Sequence, residues 1–460
     1  MNALKDRLNN LNPLYLGWSV GTFGASILLN IQNVAALFFF VTVLKVDPLV
    51  AGAIISGAKL YDTFTDPLMG AITDSTKSRW GRRRPYLLAG GVLCGASVLM
   101  LFAVPQLSES HTVIYITAAL LMLATAYTVF NVPYLSMPAE MVSNYHERSV
   151  LMSYRVFFIS IATYTATSGA PALLGLLQDV YGMDKREAYA WLGVVAGLLV
   201  STAMIASFFG TRDAPLVEKT KVKMSILEQA RMMFSSKPFV LFLGLKLTGL
   251  FALAAMLAAK FFFITYFMQK SLAIAAIFGT ASMVGQLLAL PFWVRLSKWR
   301  GKKAILVYSS IAQLAFTATW FFSGPQEPLY IYALRGLLLG IGGCGTLLGT
   351  QAMLPDVMEY DYRRTGLHRE GIFAGLASFI EKLAFALSGI VIGGFLAYMG
   401  FDRNAGAAGQ TEQALFGILA CQALIPMSMY VLKLILLAMY DLDEKKLKSL
   451  TPPEHDAAPA

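Results

Sequence analysis

Asp62 and Asp66 are the residues of this chain best placed to do chemistry. They stand four apart inside an apolar stretch, so on a helix both carboxylates point the same way. Each charge costs roughly 2.5 kcal/mol or more at the middle of a bilayer. A bound cation offsets that cost directly, because hard cations take carboxylate oxygens. A proton offsets it by neutralising one acid, since close carboxylates do not ionise independently. The plainer alternative is a structural ion pair with Lys59 or a nearby Arg. Ionisable groups within membrane segments are more often functional, which favours the ion or the proton. A short basic turn follows the acids, Arg79-Trp80-Gly81-Arg82-Arg83-Arg84-Pro85, with Asp74 just before it.

The rest of the chain is built to hold such a pair in a membrane. Its 460 residues are 57% hydrophobic and only 14% charged, with a mean hydropathy of +0.60. That composition excludes an ordinary soluble enzyme and implies a polytopic membrane protein. The net charge of +10 sits in short loops between apolar runs, where it sets topology; it does not imply nucleic acid. Cys94, Cys344 and Cys421 lie in apolar surroundings, and the four His are scattered, so no metal centre, disulfide or organic cofactor is expected. No nucleophile–base set appears, and no enzyme activity is expected. The polar start, Met1 to Asn12, and the long apolar run after it do not read as a cleavable signal peptide.

Apolar runs long enough to span a bilayer fall at 14–43, 48–73, 86–105, 113–141, 151–177, 189–210, 239–268, 272–295, 303–323, 328–354, 370–399 and 412–440. The hydrophilic stretch 211–238 divides six from six. The expected architecture is an all-α membrane protein of twelve transmembrane helices in two six-helix bundles, 1–210 and 239–441, with a cytoplasmic middle loop at 211–238 and a partly disordered tail at 442–460. Ser225 to Phe234 reads as a helix lying on the membrane surface. Lys and Arg concentrate in the loops on the side of the N-terminus, which predicts that both termini are cytoplasmic.

A weak internal repeat supports the two halves. Arg79-Trp80-Gly81-Arg82-Arg83 follows the second span, and Trp299-Arg300-Gly301-Lys302-Lys303 follows the eighth. Each is a basic turn with Gly where the chain reverses. Polar residues mark the inner faces of the spans. Ser26, Asn30, Gln32 and Asn33 give the first span a wet face. Tyr127, Thr128, Asn131, Pro133 and Tyr134 crowd the fourth, where Thr128 and Asn131 share a face. Arg155 starts the fifth, Lys260 lies deep in the seventh, and Lys382 lies in the eleventh beside Glu381. Lys246 and Lys433 are nearer span ends and are expected to snorkel. Asp356, Glu359, Asp361, Arg363, Arg364, Arg369 and Glu370 cluster at the turn between spans ten and eleven. With Asp74, Arg82 and Arg84 they could form a charged cytoplasmic gate, here assigned to Asp74, Arg82, Arg84, Asp356, Glu359 and Arg363. A solvated charged loop is the simpler alternative.

Together these pieces resemble the glycoside–pentoside–hexuronide:cation symporters, a branch of the major facilitator superfamily that includes melibiose permease. The resemblance runs through nearly the whole chain. Its most specific parts are Asp62-x3-Asp66-Pro67-x2-Gly70-x3-Asp74 with Gly81-x2-Arg84-Pro85, and Asp356 to Gly371 followed by Glu381-Lys382. It implies a major facilitator fold and a cation site at Asp62, Thr65, Asp66 and Thr128, with sodium at the two acids one option. It implies a substrate pocket using Ser26, Asn131, Arg155 and Lys382; Tyr127 and Lys260 are added from the polar pattern. The melibiose branch has carboxylates where Ser26 and Asn131 stand and an aromatic where Leu135 stands. With the cations kept and acids lost, an anionic substrate such as a uronide, or a zwitterion, suits this sequence better than a galactoside.

The leading reading is therefore a secondary active transporter in the plasma membrane (a bacterial inner membrane), a monomer that couples sodium or a proton to a small glycoside-like, anionic solute. Its partners are that solute, the cation and the lipid bilayer. A similar animal branch moves lysolipids, so a cation-coupled lysolipid or amphiphile carrier is the runner-up. A non-transporting membrane sensor or assembly factor is the alternative from another class, and the intact acids argue against it.

Overall fold

The computed structural model describes residues 12–141, 145–214, 236–365, 370–442 and 447; within these stretches the side chains at 63, 74, 139–140, 145–150, 153, 370–372 and 374 are not included. The expected surface helix at Ser225 to Phe234, and the tail beyond residue 447, lie outside the described residues. The first six long helices are α1 (Pro13–Phe38), α2 (Pro48–Ser75), α3 (Arg84–Phe102), α4 (Glu109–Ser136), α5 (Tyr145–Tyr164, continued by π-helical turns and the segment Ala170–Gly175 to Val180) and α6 (Lys185–Gly210). The next six are α7 (Lys237–Phe262), α8 (Ile274–Arg300), α9 (Lys302–Ala318), α10 (Leu329–Thr365), α11 (Glu370–Tyr398) and α12, which is broken at Ala423 into Glu412–Gln422 and Leu424–Met439.

Local chemistry starts these helices. Asn12 and Asp47 accept hydrogen bonds from the free N–H groups of α1 and α2, and Pro13 and Pro48 follow at the first helical position. Asp184 and Thr411 cap α6 and α12 in the same way. Among the described residues, eleven helical stretches are long and apolar enough to cross a membrane. The helix of comparable length outside that set is α2, whose Lys59, Asp62 and Asp66 lower its hydropathy.

Two compact units result, one formed by α1–α6 and one by α7–α12, with Ser271–Ala276 grouping with the first. In the first, α1 packs on α5 and α6, α3 packs on α4 and α6, and α2 packs on α4. In the second, α7 packs on α11 and α12, and α9 packs on α10 and α12. Its apolar core draws Phe239 and Phe242 from α7, Leu306 from α9, Met353 from α10, Phe373 from α11 and Leu437 from α12.

Backbone geometry bears out the internal repeat. Gly81 and Gly301, in the two basic turns, both take positive φ, +87° and +84°, the region that favours Gly. A second repeat was not read from the sequence. After α1 a π-helical turn (Phe39–Val43) leads to Lys45 at φ 61°, and after α7 the same turn (Phe263–Phe267) leads to Gln269 at φ 53°. The capping bonds also match: Leu44 N–H to Phe39 O and Val46 N–H to Phe40 O in one, Met268 N–H to Phe263 O and Lys270 N–H to Ile264 O in the other.

Several expected boundaries move, two of them with consequences for the charged ends. The fourth helix stops at Ser136, and Pro138 starts a separate short helix, Pro138–Met141. The tenth does not end at 354. It runs through Pro355 to Thr365, 37 residues, or about 55 Å against a hydrocarbon layer of about 30 Å. The charges from Asp356 to Arg364 therefore stand on helix, not in a turn. Their polarity hid the continuation, because apolar length marks only the part in lipid.

Candidate functional site

α2 has two faces. Leu60, Phe64, Leu68 and Ile72, one turn apart, are exposed, with Phe64 at 78%, as suits a stripe facing lipid. Lys59, Asp62, Met69 and Thr73 are buried on the other side, with Asp62 at 5%. Packing of α2 on α4 brings the side chains of Thr65, Asp66 and Thr128 together, with the Asp62 backbone beside them. Thr128 Oγ1 donates to Asp66 Oδ1 at 2.9 Å. Thr65 Oγ1 lies 3.3 Å from Thr128 Oγ1 and 3.3 Å from the Asp62 carbonyl oxygen. Tyr61 OH and Thr125 Oγ1, 3.1 Å apart, form a further link between the helices. Pro67, inside α2, has no N–H to give the carbonyl of residue 63. The result is a compact set of carboxylate, hydroxyl and carbonyl oxygens that suits a small hard cation. Lys59, proposed as an ion-pair partner, donates to Gln32 Oε1 of α1 at 3.0 Å.

The expected substrate residues divide between the units. Ser26, Asn30 and Asn33 fall on one half-buried stripe of α1 with Phe23 and Leu29. Asn30 Nδ2 donates to the Ser26 carbonyl at 2.8 Å and lies 3.5 Å from Thr163 Oγ1 of α5. On α4, Tyr127 is buried, and Asn131 is half-buried one turn beyond Thr128. Arg155 of α5 is half-buried, and its Nε is enclosed without a hydrogen-bond partner among the described residues. Tyr134 has a different role. It stacks on Trp18 with ring centroids 4.8 Å apart, donates to the Trp18 carbonyl and meets Thr22 Oγ1 at 2.6 Å, fixing α4 to α1. In the second unit Lys260 is buried, with Nζ 4.6 Å from the centre of the Phe278 ring. Lys382 is half-buried on α11.

Two lysines expected to snorkel do not. Lys246 Nζ is 3.3 Å from Glu381, so Glu381 pairs across to α7. Lys433 is fully buried in α12, at 0% exposure.

Four of the expected gate residues, Arg84, Asp356, Glu359 and Arg363, each have a partner within their own unit. Arg84 donates to the Phe208 carbonyl at 2.9 Å and stacks on the Phe208 ring, capping the C-terminal end of α6. Lys303 does the same for α12 by donating to the Tyr440 carbonyl at 2.6 Å. Neither cap was read from the sequence, although the matched basic turns carry the signal for it. Asp356 pairs with Lys302 at 2.5 Å. Glu359 pairs with Arg363 at 2.6 Å, and Arg363 also donates to the Leu447 carbonyl. Arg82 follows the Gly81 turn and is half-buried. The Asp74 side chain, Arg369 and the Glu370 side chain lie outside the described residues. Burial pushes the Tyr440 phenol up, helped by the negative charges of Asp356 and Asp441. Another pair was missed in the sequence: Arg335 binds both oxygens of Glu327, and both residues are buried. Glu327 stood in an apparent loop, which gave no sign of its burial.

Two six-helix units, with paired carboxylates on a charged second helix, define a membrane transporter of the major facilitator type. The chain belongs to the MFS/sugar transport protein family, whose profile matches residues 17–444, and within it to the glycoside–pentoside–hexuronide:cation symporters expected from its motifs. It is 28% identical over 440 residues to a protein of Bacillus subtilis (strain 168) named uncharacterized symporter YnaJ, covering 95% of this chain and 93% of that one. It is 24% identical over 441 residues to the glucuronide carrier protein homolog of Escherichia coli (strain K12), covering 95% and 93%. Its fold is like that of the nucleoside transporter NupG, with a TM-score of 0.66 at 14% identity, covering 94% of this chain and 100% of that one. The chain is an integral membrane transporter of a small molecule, not an enzyme.

Proposed function

We propose that this protein is a symporter that uses a cation gradient to move a small, anionic, glycoside-like solute by alternating access. One observation carries the coupling: Thr128 of α4 reaches Asp66 of α2 at 2.9 Å, beside the buried Asp62. A cation seated there neutralises the acids and ties α2 to α4. Hydroxyls at Thr65 and Thr128 favour sodium, since a proton needs no neutral oxygen ligands. The anionic substrate follows from Arg155, Lys260 and Lys382 standing in the helices while positions 26 and 131 lack acids. The names of the two relatives, a symporter and a glucuronide carrier, agree with this reading. The gate role of the charged cytoplasmic ends belongs to the same proposal, as do monomeric action and a plasma-membrane setting.

The test is uptake into proteoliposomes of labelled glucuronides, neutral glycosides and lysolipids, with sodium and pH gradients imposed separately. Wild-type protein should concentrate a glucuronide when sodium is supplied, and Asp62→Asn and Asp66→Asn should only equilibrate it. Uphill uptake retained by both variants would remove these acids from coupling.

A further inference from the structure

The second unit contains buried polar residues on α9 and α12 that the transport reading does not use. The start of α9 meets the end of α12, where Lys303 donates to the Tyr440 carbonyl, so the two helices run antiparallel. About two turns along each, roughly 10 Å by helical rise, stand Ser310 of α9 and Lys433 of α12. Farther along are Gln313 and Thr317 on α9, and Gln422 on α12. All five are buried. Each has a side-chain atom with no hydrogen-bond partner among the described residues: Lys433 Nζ, Ser310 Oγ, Gln313 Oε1, Thr317 Oγ1 and Gln422 Oε1. Buried polar atoms in native proteins are rarely left so, and lipid offers them no partner.

The amine is also closely confined. A Cβ at Gly249 of α7 would lie 3.2 Å from Lys433 Nζ and 3.7 Å from Thr346 of α10, so the amine rests against the α7 backbone. The helices packed on this part of α12 are α7 and α9. Their titratable groups are Lys237, Lys246, Lys260, Lys302, Lys303 and Tyr308, with no carboxylate among them. Lys246 is paired with Glu381, Lys302 with Asp356, and Lys303 with the Tyr440 carbonyl. On α12 itself the nearest titratable group is Tyr430.

We propose that these residues line a seam holding internal water molecules that solvate a protonated Lys433, giving the second unit a hydrated cationic seat separate from the acids of α2. The donor and acceptor set fits. The ammonium supplies protons, the Gln313 and Gln422 carbonyl oxygens accept them, and the hydroxyls of Ser310 and Thr317 can do either. Buried waters of this kind bridge two to four polar groups that would otherwise be unsatisfied.

The test uses the full-length protein in nanodiscs. Hydroxyl radicals formed from internal water should oxidise Tyr430, one turn from Lys433, at least about fivefold faster than Phe242 in the dry core of the same unit. Gln313→Leu should bring Tyr430 down towards the Phe242 rate. With 15N-labelled lysine, the resonance lost in Lys433→Met should lie at the ammonium position near neutral pH and cross-relax with water. Equal oxidation of Tyr430 and Phe242 in the wild type overturns the proposal, and so does a neutral amine signal without contact to water. The oxidation measurement on the wild type decides even if Lys433→Met fails to fold.

Discussion

Thr128 is the residue on which the proposed coupling site turns, because its single hydroxyl links Asp66 and Thr65 of α2 to α4. A hydrogen bond to a charged carboxylate contributes more than a neutral one. Thr128→Val keeps the shape and removes the oxygen, and should weaken cation affinity about tenfold, or about 1.4 kcal/mol. Calorimetric titration of the purified protein with sodium would check this, and an unchanged affinity would remove Thr128 from the site. The substrate cations make a second case. Arg155 Nε is enclosed without a partner among the described residues, an arrangement suited to a bound anion. Arg155→Gln and Lys382→Gln should each weaken substrate binding by about 2 kcal/mol or more, as loss of one member of a buried charge pair does. Lys260→Met should weaken it less than Arg155→Gln, because Lys260 Nζ rests on the Phe278 ring. Binding of a labelled glucuronide to the variants ranks them, and a Lys260 effect equal to that of Arg155 would refute the ranking.

At the scale of helices, close backbone approach holds the first unit together. A Cβ on Gly17 of α1 would lie 2.6 Å from the Gly210 carbonyl oxygen of α6, and one on Gly210 would lie 2.5 Å from the Gly17 Cα. Backbone cannot step aside as a flexible side chain can. Gly17→Val should therefore force α1 from α6 and destabilise the protein by about 2 kcal/mol or more, as overpacking does. A thermal-unfolding assay on detergent-purified protein should show a clear drop, and wild-type melting would contradict the crossing. How far such elements were legible depends on what each residue faces. Hydropathy located the long helices, because lipid demands unbroken apolar length. The Asp62–Asp66 spacing singled out the proposed ion site, because helical period alone places both acids on one face. The fate of individual lysines was not legible. Lys246 and Lys433 look alike in sequence, both near span ends, yet one meets Glu381 and the other is fully buried. Those outcomes depend on neighbours far away in the chain. The reach of α10 past Pro355 was hidden for a related reason: a polar helix end outside lipid looks like a loop.

At the scale of the whole molecule, two further expectations follow from chain-wide properties. By the positive-inside rule, the basic loops lead us to expect both ends in the cytoplasm. Single cysteines at Ala3 and Ala457 should resist an impermeant thiol reagent in intact cells, and labelling of either from outside would reverse the orientation. The last expectation concerns coupling itself. A cation at Asp62 and Asp66 can drive substrate binding only through different affinities for the states of the transporter. Linkage then requires reciprocity: the factor by which cation tightens substrate must equal the factor by which substrate tightens cation. A coupling of about 1–3 kcal/mol corresponds to a factor of about 5–150. Substrate affinity should rise by that factor as sodium is added, and sodium affinity should rise by the same factor when substrate saturates. In Asp66→Asn both factors should fall towards one together, since the variant removes the shared site and leaves Arg155 and Lys382 in place. If sodium tightened substrate in the wild type while substrate left sodium affinity unchanged, the two ligands would not be linked through this protein. If the linkage survived intact in Asp66→Asn, the coupling ion would bind elsewhere in the molecule.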